Sequence, residues 1–156
     1  MRHHVPIALS VFLLVVAAGR AYEAQQADGS NGPVPAFTPV SYERLLHSDD
    51  ELENWLMYSG QYSSQRFSYL DQVTVANANR LRVKWVYQLQ DLDRAETTPL
   101  VVDGIMYVTE SPSTVIALDA RTGRVFWRYE HELPEDLNYC CGRNNRGVAV
   151  SGSRLF

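Results

Sequence analysis

Cysteine, histidine and positive charge are all scarce in this sequence, and each shortage excludes a class of function. The 156 residues include two cysteines and four histidines, and the histidines are scattered without the spacing of a metal-binding motif. The formal net charge is −4, which argues against nucleic acid as a partner because phosphate binding depends on clustered lysine and arginine. Beyond residue 21 no apolar run is long enough to cross a bilayer, so we expect no membrane span in the mature chain.

The first 21 residues have the parts of a secretory signal peptide. A short basic start precedes an apolar stretch at residues 5–18, and small residues at positions 19 and 21 suit a signal peptidase. The stretch is short for a membrane-spanning helix, which needs about 20 apolar residues, and an uncleaved anchor is the alternative. Cleavage after Ala21 would deliver the chain to the periplasm or outside the cell, where disulfides persist.

The two cysteines, Cys140 and Cys141, are adjacent in the chain. Disulfides usually join Cα atoms about 4.4–6.8 Å apart, whereas neighbouring Cα atoms are fixed at about 3.8 Å by a trans peptide. A bond between them would therefore close a small strained ring, and such strain is found where a site needs a rigid surface. The oxidising compartment favours the disulfide over the alternative, in which two thiols share a loop by chance.

The rest of the sequence divides into three segments of different character. Residues 22–40 are polar and contain several glycines and prolines, which predicts a disordered arm. Residues 41–80 are a lead-in segment, with one short helix predicted from Ser41 and a second at the acidic run that follows. Residues 81–156 show short strands and tight turns, which predict an all-β fold.

Alternation and turn motifs predict the strands of this last segment. Residues 81–89 alternate between apolar and polar, the pattern of a half-buried strand. Three hairpins are predicted further along, at turns centred on residues 103–104, 119–123 and 151–153.

Part of this pattern repeats. Residues 82–87 align with 124–129 at a shift of about 42, and residues 101–104 align with 149–152 at a shift of about 48. Periods in the forties with four strands per unit are typical of a β-propeller, so we expect one blade and the start of a second.

The two shifts differ by about six residues, so the loop after the second copy is longer than the loop after the first. The shorter loop contains Glu96, and the longer one contains Cys140, Cys141 and Arg146. Equivalent loops of neighbouring blades lie on the same face of a propeller. We therefore expect these four residues to cluster on one face, near the central axis.

Residues 117–127 resemble the tryptophan-docking repeat of the PQQ-dependent (quinoprotein) alcohol dehydrogenases, eight-bladed propellers that bind pyrroloquinoline quinone (PQQ). Residues 140–147 resemble the vicinal-disulfide loop of that family, which is the more specific motif because docking repeats also occur in non-enzymatic propellers. Residues 66–70 resemble its amino-terminal lead-in, and residues 96–104 the first strand of its first blade. In the docking repeat, three residues would hold adjacent blades together: Ala117, Gly123 and Trp127.

The resemblance implies roles in cofactor binding for four residues. Glu96 would bind the polar edge of PQQ, and the disulfide ring of Cys140 and Cys141 would stack on one face of the planar cofactor. Arg146 would lie beside the reactive carbonyl oxygens and stabilise negative charge as the quinone is reduced. Without the family, the alternatives are a solvated loop carboxylate for Glu96 and an ordinary surface cation for Arg146.

The reaction implied by the resemblance is the oxidation of a small alcohol, with a hydride or its equivalent passed to a quinone carbon. A calcium or lanthanide ion would polarise the quinone, a carboxylate base would take the hydroxyl proton, and a cytochrome c-type acceptor would receive the electrons. In the family the metal ligands and the base lie further along than Phe156. No residue here is therefore assigned as catalytic or metal-binding, apart from the electrostatic role of Arg146.

A propeller needs roughly four to eight blades, and this sequence supplies fewer than two. We therefore expect it to be the amino-terminal part of a longer protein, and inactive by itself. Two alternatives to the enzyme stay open. A scaffold or binding propeller of the outer-membrane assembly type would share the docking repeat and the signal but has no use for Glu96 or adjacent cysteines. A truncated pseudo-enzyme would lack the downstream metal carboxylates.

Overall fold

The computed structural model describes residues 33–90, 94–138, 140 and 142–156. The predicted signal peptide, and the predicted arm as far as residue 32, lie outside these ranges. Over the described ranges no helix is long and apolar enough to span a membrane.

The lead-in segment begins with two short helical turns at the positions that the sequence predicts. Helix α1 spans Tyr42–Leu46, and the Ser41 hydroxyl caps it by accepting a hydrogen bond from the backbone N–H of Arg44 at 3.1 Å. A 3-10 helix follows at Ser48–Asp50, where acidic residues favour a helix start. A further 3-10 helix at Ala78–Arg80 lies near the end of the segment.

The main sheet has four antiparallel strands in the order β1-β2-β3-β4. These strands are β1 Leu100–Val102, β2 Ile105–Glu110, β3 Thr114–Asp119 and β4 Val125–Glu130. A separate hairpin pairs β5, Val150–Ser151, with β6, Arg154–Leu155. All three predicted hairpins are confirmed. At the first turn Asp103 and Gly104 both have positive φ angles, 48° and 83°, as a two-residue hairpin of this type requires.

Apolar side chains cover both faces of the main sheet. One face packs into a buried cluster with residues before and after it: Val40, Leu56, Leu100, Val102, Ile105, Tyr107, Ala117, Phe126 and Val150. The other face carries a smaller cluster of Val108, Ile116 and Leu118, against which Trp85, Tyr87, Met106 and Val125 pack. Successive residues of a strand point to opposite faces, so the alternation in the sequence supplies both clusters.

The strand predicted at residues 81–89 is not formed: this segment is extended, but over the described residues no strand is assigned to it. Alternating burial is seen only in its second half. Trp85 and Tyr87 are half-buried against the second face of the sheet and Val86 between them is 81% exposed, but Val83, in the same phase as Trp85, is 82% exposed. Residues 85–87 thus lie across the face of the sheet rather than pairing along its edge.

The predicted disordered arm also ends earlier than residue 40. Val40 is buried, and its N–H and C=O exchange hydrogen bonds with Gly152 at 2.9 and 2.8 Å. Phe37 packs against the same core cluster. The polar composition of the arm predicts disorder on average, but these two apolar residues pack into a core whose members lie as far along the chain as Val150.

The lead-in segment is fixed to the sheet by a strand-like bridge and by a cluster of charges. Trp55 exchanges backbone hydrogen bonds with Val101 on the outer edge of β1, at 2.8 and 3.0 Å. Arg44, whose side chain is 12% exposed, bonds Glu51 at 2.7 Å and Asp103 at 2.5 Å. The hydrogen bond from Arg44 holds the pKa of the Glu51 carboxyl below its ordinary value, although partial burial opposes this shift.

Candidate functional site

Two loops lie side by side at the end of the sheet where β1 begins and β2 ends. We call them the Glu96 loop, residues 94–98, and the Arg146 loop, residues 142–147. The N–H of Thr98 donates to the carbonyl oxygen of Arg146 at 3.1 Å. A Cβ added at Gly147, whose φ is 129°, would lie 3.1 Å from the Thr98 carbonyl oxygen, so only glycine lets the backbones come this close.

This contact brings together two of the four predicted site residues. The Arg146 Nε donates to Glu96 Oε2 at 3.1 Å, although 50 residues separate them in the chain. Both side chains are exposed to solvent, by 68% for Arg146 and 39% for Glu96. An exposed ion pair contributes about 0–1 kcal/mol, so the pair does not hold the loops together by itself. Its atoms are instead accessible to a ligand from solution.

The structure describes only one of the two cysteines. Cys140 is exposed and lies two residues before the Arg146 loop in the chain, whereas Cys141 lies outside the described residues. The predicted disulfide, and its place relative to Glu96 and Arg146, stay predictions. The next residue, Gly142, has a φ of 90°, and a Cβ there would lie 3.5 Å from Nη1 of Arg94. The start of the Arg146 loop at Gly142 therefore lies close to the Glu96 loop.

Two further arginines, Arg94 and Arg143, belong to the same pair of loops, and both are exposed. The hydroxyl of Ser111, just after β2, donates to the carbonyl oxygen of Arg143. Sequence reasoning omitted Arg94 and left Arg143 without a role. The predicted meeting of the two loops was the signal that could have identified them, because it brings the cations of both loops to the same end of the sheet.

Trp85 shows how the docking repeat works within this chain. Its Nε1 donates to the Ala120 carbonyl oxygen at 3.2 Å. A Cβ at Gly123 would lie 2.6 Å from the indole ring, so the ring rests directly on the glycine backbone. Trp85 is the repeat counterpart of Trp127, so the structure places an indole on Gly123 but takes it from the preceding copy. Docking by Trp127 itself stays a prediction.

Ala117 and Trp127 face each other across β3 and β4. Ala117 is fully buried, and Trp127 lies against Tyr107 with 6.0 Å between ring centroids. Both side chains therefore contribute to the packing inside the blade. Over the described part of the chain, no group of three or more histidine, cysteine, aspartate or glutamate side chains could hold a metal ion.

Sequence reasoning missed a buried acid at the end of β2. Glu110 is 1% exposed, accepts a hydrogen bond from the N–H of Gln90 at 2.8 Å, and forms an ion pair with Arg128 of β4. The N–H of Gln90 lies at the start of the stretch that leads to Glu96. A buried charge is tolerated when it is paired and hydrogen-bonded, as the Glu110 carboxylate is. No local sequence pattern reveals that Glu110 is buried.

A meander of four antiparallel strands, with the preceding tryptophan docked on the turn between its last two strands, is the arrangement of a propeller blade. The prediction of an all-β propeller fold is confirmed by a family model and by solved structures. A family model described as PQQ, glucose/ethanol/alcohol dehydrogenase, β-propeller domain, matches residues 55–154, more than half of the chain. The chain belongs to this family.

Individual relatives found by sequence similarity support the same relationship. The dehydrogenase subunit of an alcohol dehydrogenase (quinone) from Acetobacter aceti is 42% identical over 116 residues, which are 73% of this chain and 16% of the relative. A quinoprotein alcohol dehydrogenase from Pseudomonas putida is 35% identical over 153 residues, 97% of this chain and 24% of the relative. The chain thus spans no more than a quarter of the length of these relatives.

Solved structures agree with the sequence matches. The quinohemoprotein alcohol dehydrogenase ADHIIG from Pseudomonas putida HK5 superimposes with a TM-score of 0.68 and 41% identity, covering 77% of this chain and 18% of that one. A europium-containing methanol dehydrogenase superimposes with a TM-score of 0.60 and 29% identity, covering 73% and 21% respectively.

Proposed function

We propose that the protein is a PQQ-dependent alcohol dehydrogenase and that this part of it forms one side of the cofactor site. One observation carries the proposal: in a chain of the PQQ family, Glu96 and Arg146 meet at 3.1 Å across two loops at one end of a blade. The named relatives are quinoprotein or quinohemoprotein alcohol dehydrogenases. A scaffold propeller has no use for Glu96 or for adjacent cysteines, and the named relatives are dehydrogenases, so we prefer the enzyme to the non-enzymatic alternative.

The exposed side chains at this blade end fit a planar quinone that bears carboxylates. Arg146 offers a permanently charged fork of N–H donors, which suits carboxylate and carbonyl oxygens. Glu96 offers acceptor oxygens for an N–H group on the polar edge of such a molecule. Arg94 and Arg143, exposed on the same two loops, add positive charge at this end of the blade.

Each residue would have a distinct task. When bound, PQQ supplies the two-electron acceptor for alcohol oxidation. Glu96 would orient the cofactor through its polar edge, and Cys140 and Cys141 would support its flat face. Arg146 would hold a carbonyl oxygen and, as a fixed cation, favour negative charge on that atom.

The remaining parts of the proposal concern the whole protein. We propose a small alcohol as substrate, a calcium or lanthanide ion held by residues beyond Phe156, and a cytochrome c-type electron acceptor. The europium in a solved relative and the quinohemoprotein names of others support the metal and the acceptor. The signal-like first 21 residues support a periplasmic location.

The test uses the full-length protein that carries this sequence, purified from the periplasm and assayed by dye-linked oxidation of ethanol. Activity should require PQQ together with calcium or a lanthanide. Arg146→Ala should lower kcat/KM about 100-fold or more, because one fixed donor at a site of developing charge is worth about that much. Arg146→Lys should recover part of the loss, since it restores the charge but not the fork.

Arg121→Ala is the matched control. Arg121 is also an exposed arginine, but it lies on the turn between β3 and β4, at the opposite end of the sheet. This variant should keep wild-type activity. An Arg146→Ala protein as active as Arg121→Ala would remove Arg146 from the site. No PQQ-dependent turnover in the wild type would favour the scaffold or the pseudo-enzyme.

A further inference from the structure

One buried threonine connects the two loops from beneath. Thr109, the residue before the end of β2, is 1% exposed. Its N–H donates to the hydroxyl oxygen of Thr97 at 2.9 Å, and its own hydroxyl oxygen lies 3.0 Å from that atom. The Thr109 hydroxyl also donates to the carbonyl oxygen of Asn145 at 3.3 Å.

The chemistry of these groups fixes the direction of the hydrogen bonds. A carbonyl oxygen can only accept, so the single hydroxyl proton of Thr109 goes to Asn145. The contact between the two hydroxyls must then use the proton of Thr97, which donates to Thr109. The Thr97 oxygen in turn accepts from the N–H of Thr109. All three groups are satisfied in this order, which gives one chain of hydrogen bonds from the Glu96 loop to the Arg146 loop.

The two ends of this chain adjoin the two predicted ligand-binding side chains. Thr97 follows Glu96 directly, and Asn145 precedes Arg146 directly. Because the Glu96–Arg146 ion pair is exposed and therefore weak, the positions of both residues are set by what holds their backbones. The described anchors of these backbones are Thr109 from below, the hydrogen bond from Thr98 to Arg146 at the loop contact, and the Ser111 hydroxyl, which donates to the carbonyl oxygen of Arg143.

We propose that Thr109 is a positioning residue that sets Glu96 against Arg146, so that the two loops present their charged side chains to PQQ as one preorganised unit. This inference rests on the proposed function for the identity of the ligand. Preorganisation improves binding because less ordering remains to be done when the ligand arrives. Loss of the Thr109 hydroxyl should therefore weaken PQQ binding without removing any group that touches PQQ.

The test compares three variants of the full-length apoprotein by equilibrium titration with PQQ in the presence of calcium. Thr109→Val keeps the shape but removes the hydroxyl, and leaves the Asn145 carbonyl without its donor. It should raise the Kd for PQQ about ten-fold, as expected for one buried hydrogen bond lost. Thr109→Ser restores the hydroxyl and should return the Kd to within about two-fold of wild type.

Thr114→Val is the matched control for burial. Thr114 is also 1% exposed and begins β3 opposite Glu110. It takes no part in the chain of hydrogen bonds between Thr97, Thr109 and Asn145. Both valine variants should lower the thermal midpoint of the apoprotein, but only Thr109→Val should weaken PQQ binding. If Thr109→Val does not fold, Thr97→Val replaces it, because Thr97 is only half-buried and lies in the same chain of bonds.

A second readout needs no cofactor. Hydrogen exchange of the apoprotein should accelerate about ten-fold in Thr109→Val at peptides covering residues 94–100 and 142–149, and not in Thr114→Val. Unchanged exchange in both peptides, or a PQQ affinity equal to that of Thr114→Val, would overturn the positioning role. Failure of wild-type protein to bind PQQ would refute the proposed function instead, and the exchange result would then still decide whether Thr109 couples the loops.

Discussion

Two glycines with nearly the same backbone geometry should respond very differently to an added methyl group. Gly104 and Gly123 both lie in tight turns of the main sheet, with φ angles of 83° and 74°. A Cβ at Gly104 would meet nothing within 4 Å among the described residues, whereas a Cβ at Gly123 would lie 2.6 Å from the Trp85 ring. Alanine at either position carries the cost of a left-handed backbone, but only Gly123→Ala also displaces the docked indole.

The size of each effect follows from these two contributions. A non-glycine residue in the left-handed region costs about 1–2 kcal/mol, so this is the expected loss of unfolding free energy for Gly104→Ala. Overpacking against a large side chain costs about 1–3 kcal/mol more, so Gly123→Ala should lose about 2–5 kcal/mol in all. The displaced ring would also lose its hydrogen bond to the Ala120 carbonyl oxygen.

Urea unfolding of the full-length protein, followed by tryptophan fluorescence, measures the difference between the two variants. A Trp85→Ala background provides the decisive comparison, since coupling between contacting residues appears as non-additivity. In that background Gly123→Ala should cost no more than Gly104→Ala does. If Gly123→Ala is as mild as Gly104→Ala in the wild type, or equally costly with and without Trp85, the indole does not dock on this turn.

Two further predictions concern the charged clusters. Glu110→Ala leaves the N–H of Gln90 and the partly buried Arg128 without their carboxylate, and should lower the unfolding free energy by about 1–3 kcal/mol. Glu110→Gln keeps an acceptor for the N–H of Gln90 and should lose less, and equal losses in the two variants would contradict a role for that hydrogen bond. The pKa of Glu51 is lowered in the folded state, so its contribution to stability is complete above about pH 4.5 and is lost as the pH falls through the lowered value. When the unfolding free energy is measured at decreasing pH, Arg44→Ala should therefore lose less of it than wild type does. Parallel curves for the two proteins would contradict the stabilising role of the pairing between Arg44 and Glu51.

The sequence predicts local features of the fold well because their causes are local. The Ser41 cap and the turn at Asp103 and Gly104 depend on residues within four positions of each other, and both are present. The prediction of a strand at 81–89 was wrong because alternation can arise from side chains that pack on the face of a sheet. Strand pairing depends instead on a neighbouring strand elsewhere in the chain. The order of Val40 was missed for the same reason, since its partner Gly152 is distant in sequence.

Part of the candidate site could likewise be predicted from the sequence, and part could not. The meeting of Glu96 and Arg146 could be predicted from the unequal repeat shifts, because those shifts assign both loops to one face. Thr109 and Glu110 could not be found, since a threonine and a glutamate at the end of a strand follow no pattern that distinguishes them from exposed residues. Their roles depend on what the fold brings to within 3.3 Å of them.

Equilibrium binding of PQQ to the full-length apoprotein, followed by the absorbance of the quinone, decides whether this blade end forms part of a PQQ site. Wild-type protein should bind PQQ saturably, Arg146→Ala should weaken binding by about ten-fold or more, as expected for loss of a charge-assisted hydrogen bond, and Arg121→Ala should bind as wild type does. Absence of saturable binding, or equal affinities for the two alanine variants, would contradict the account.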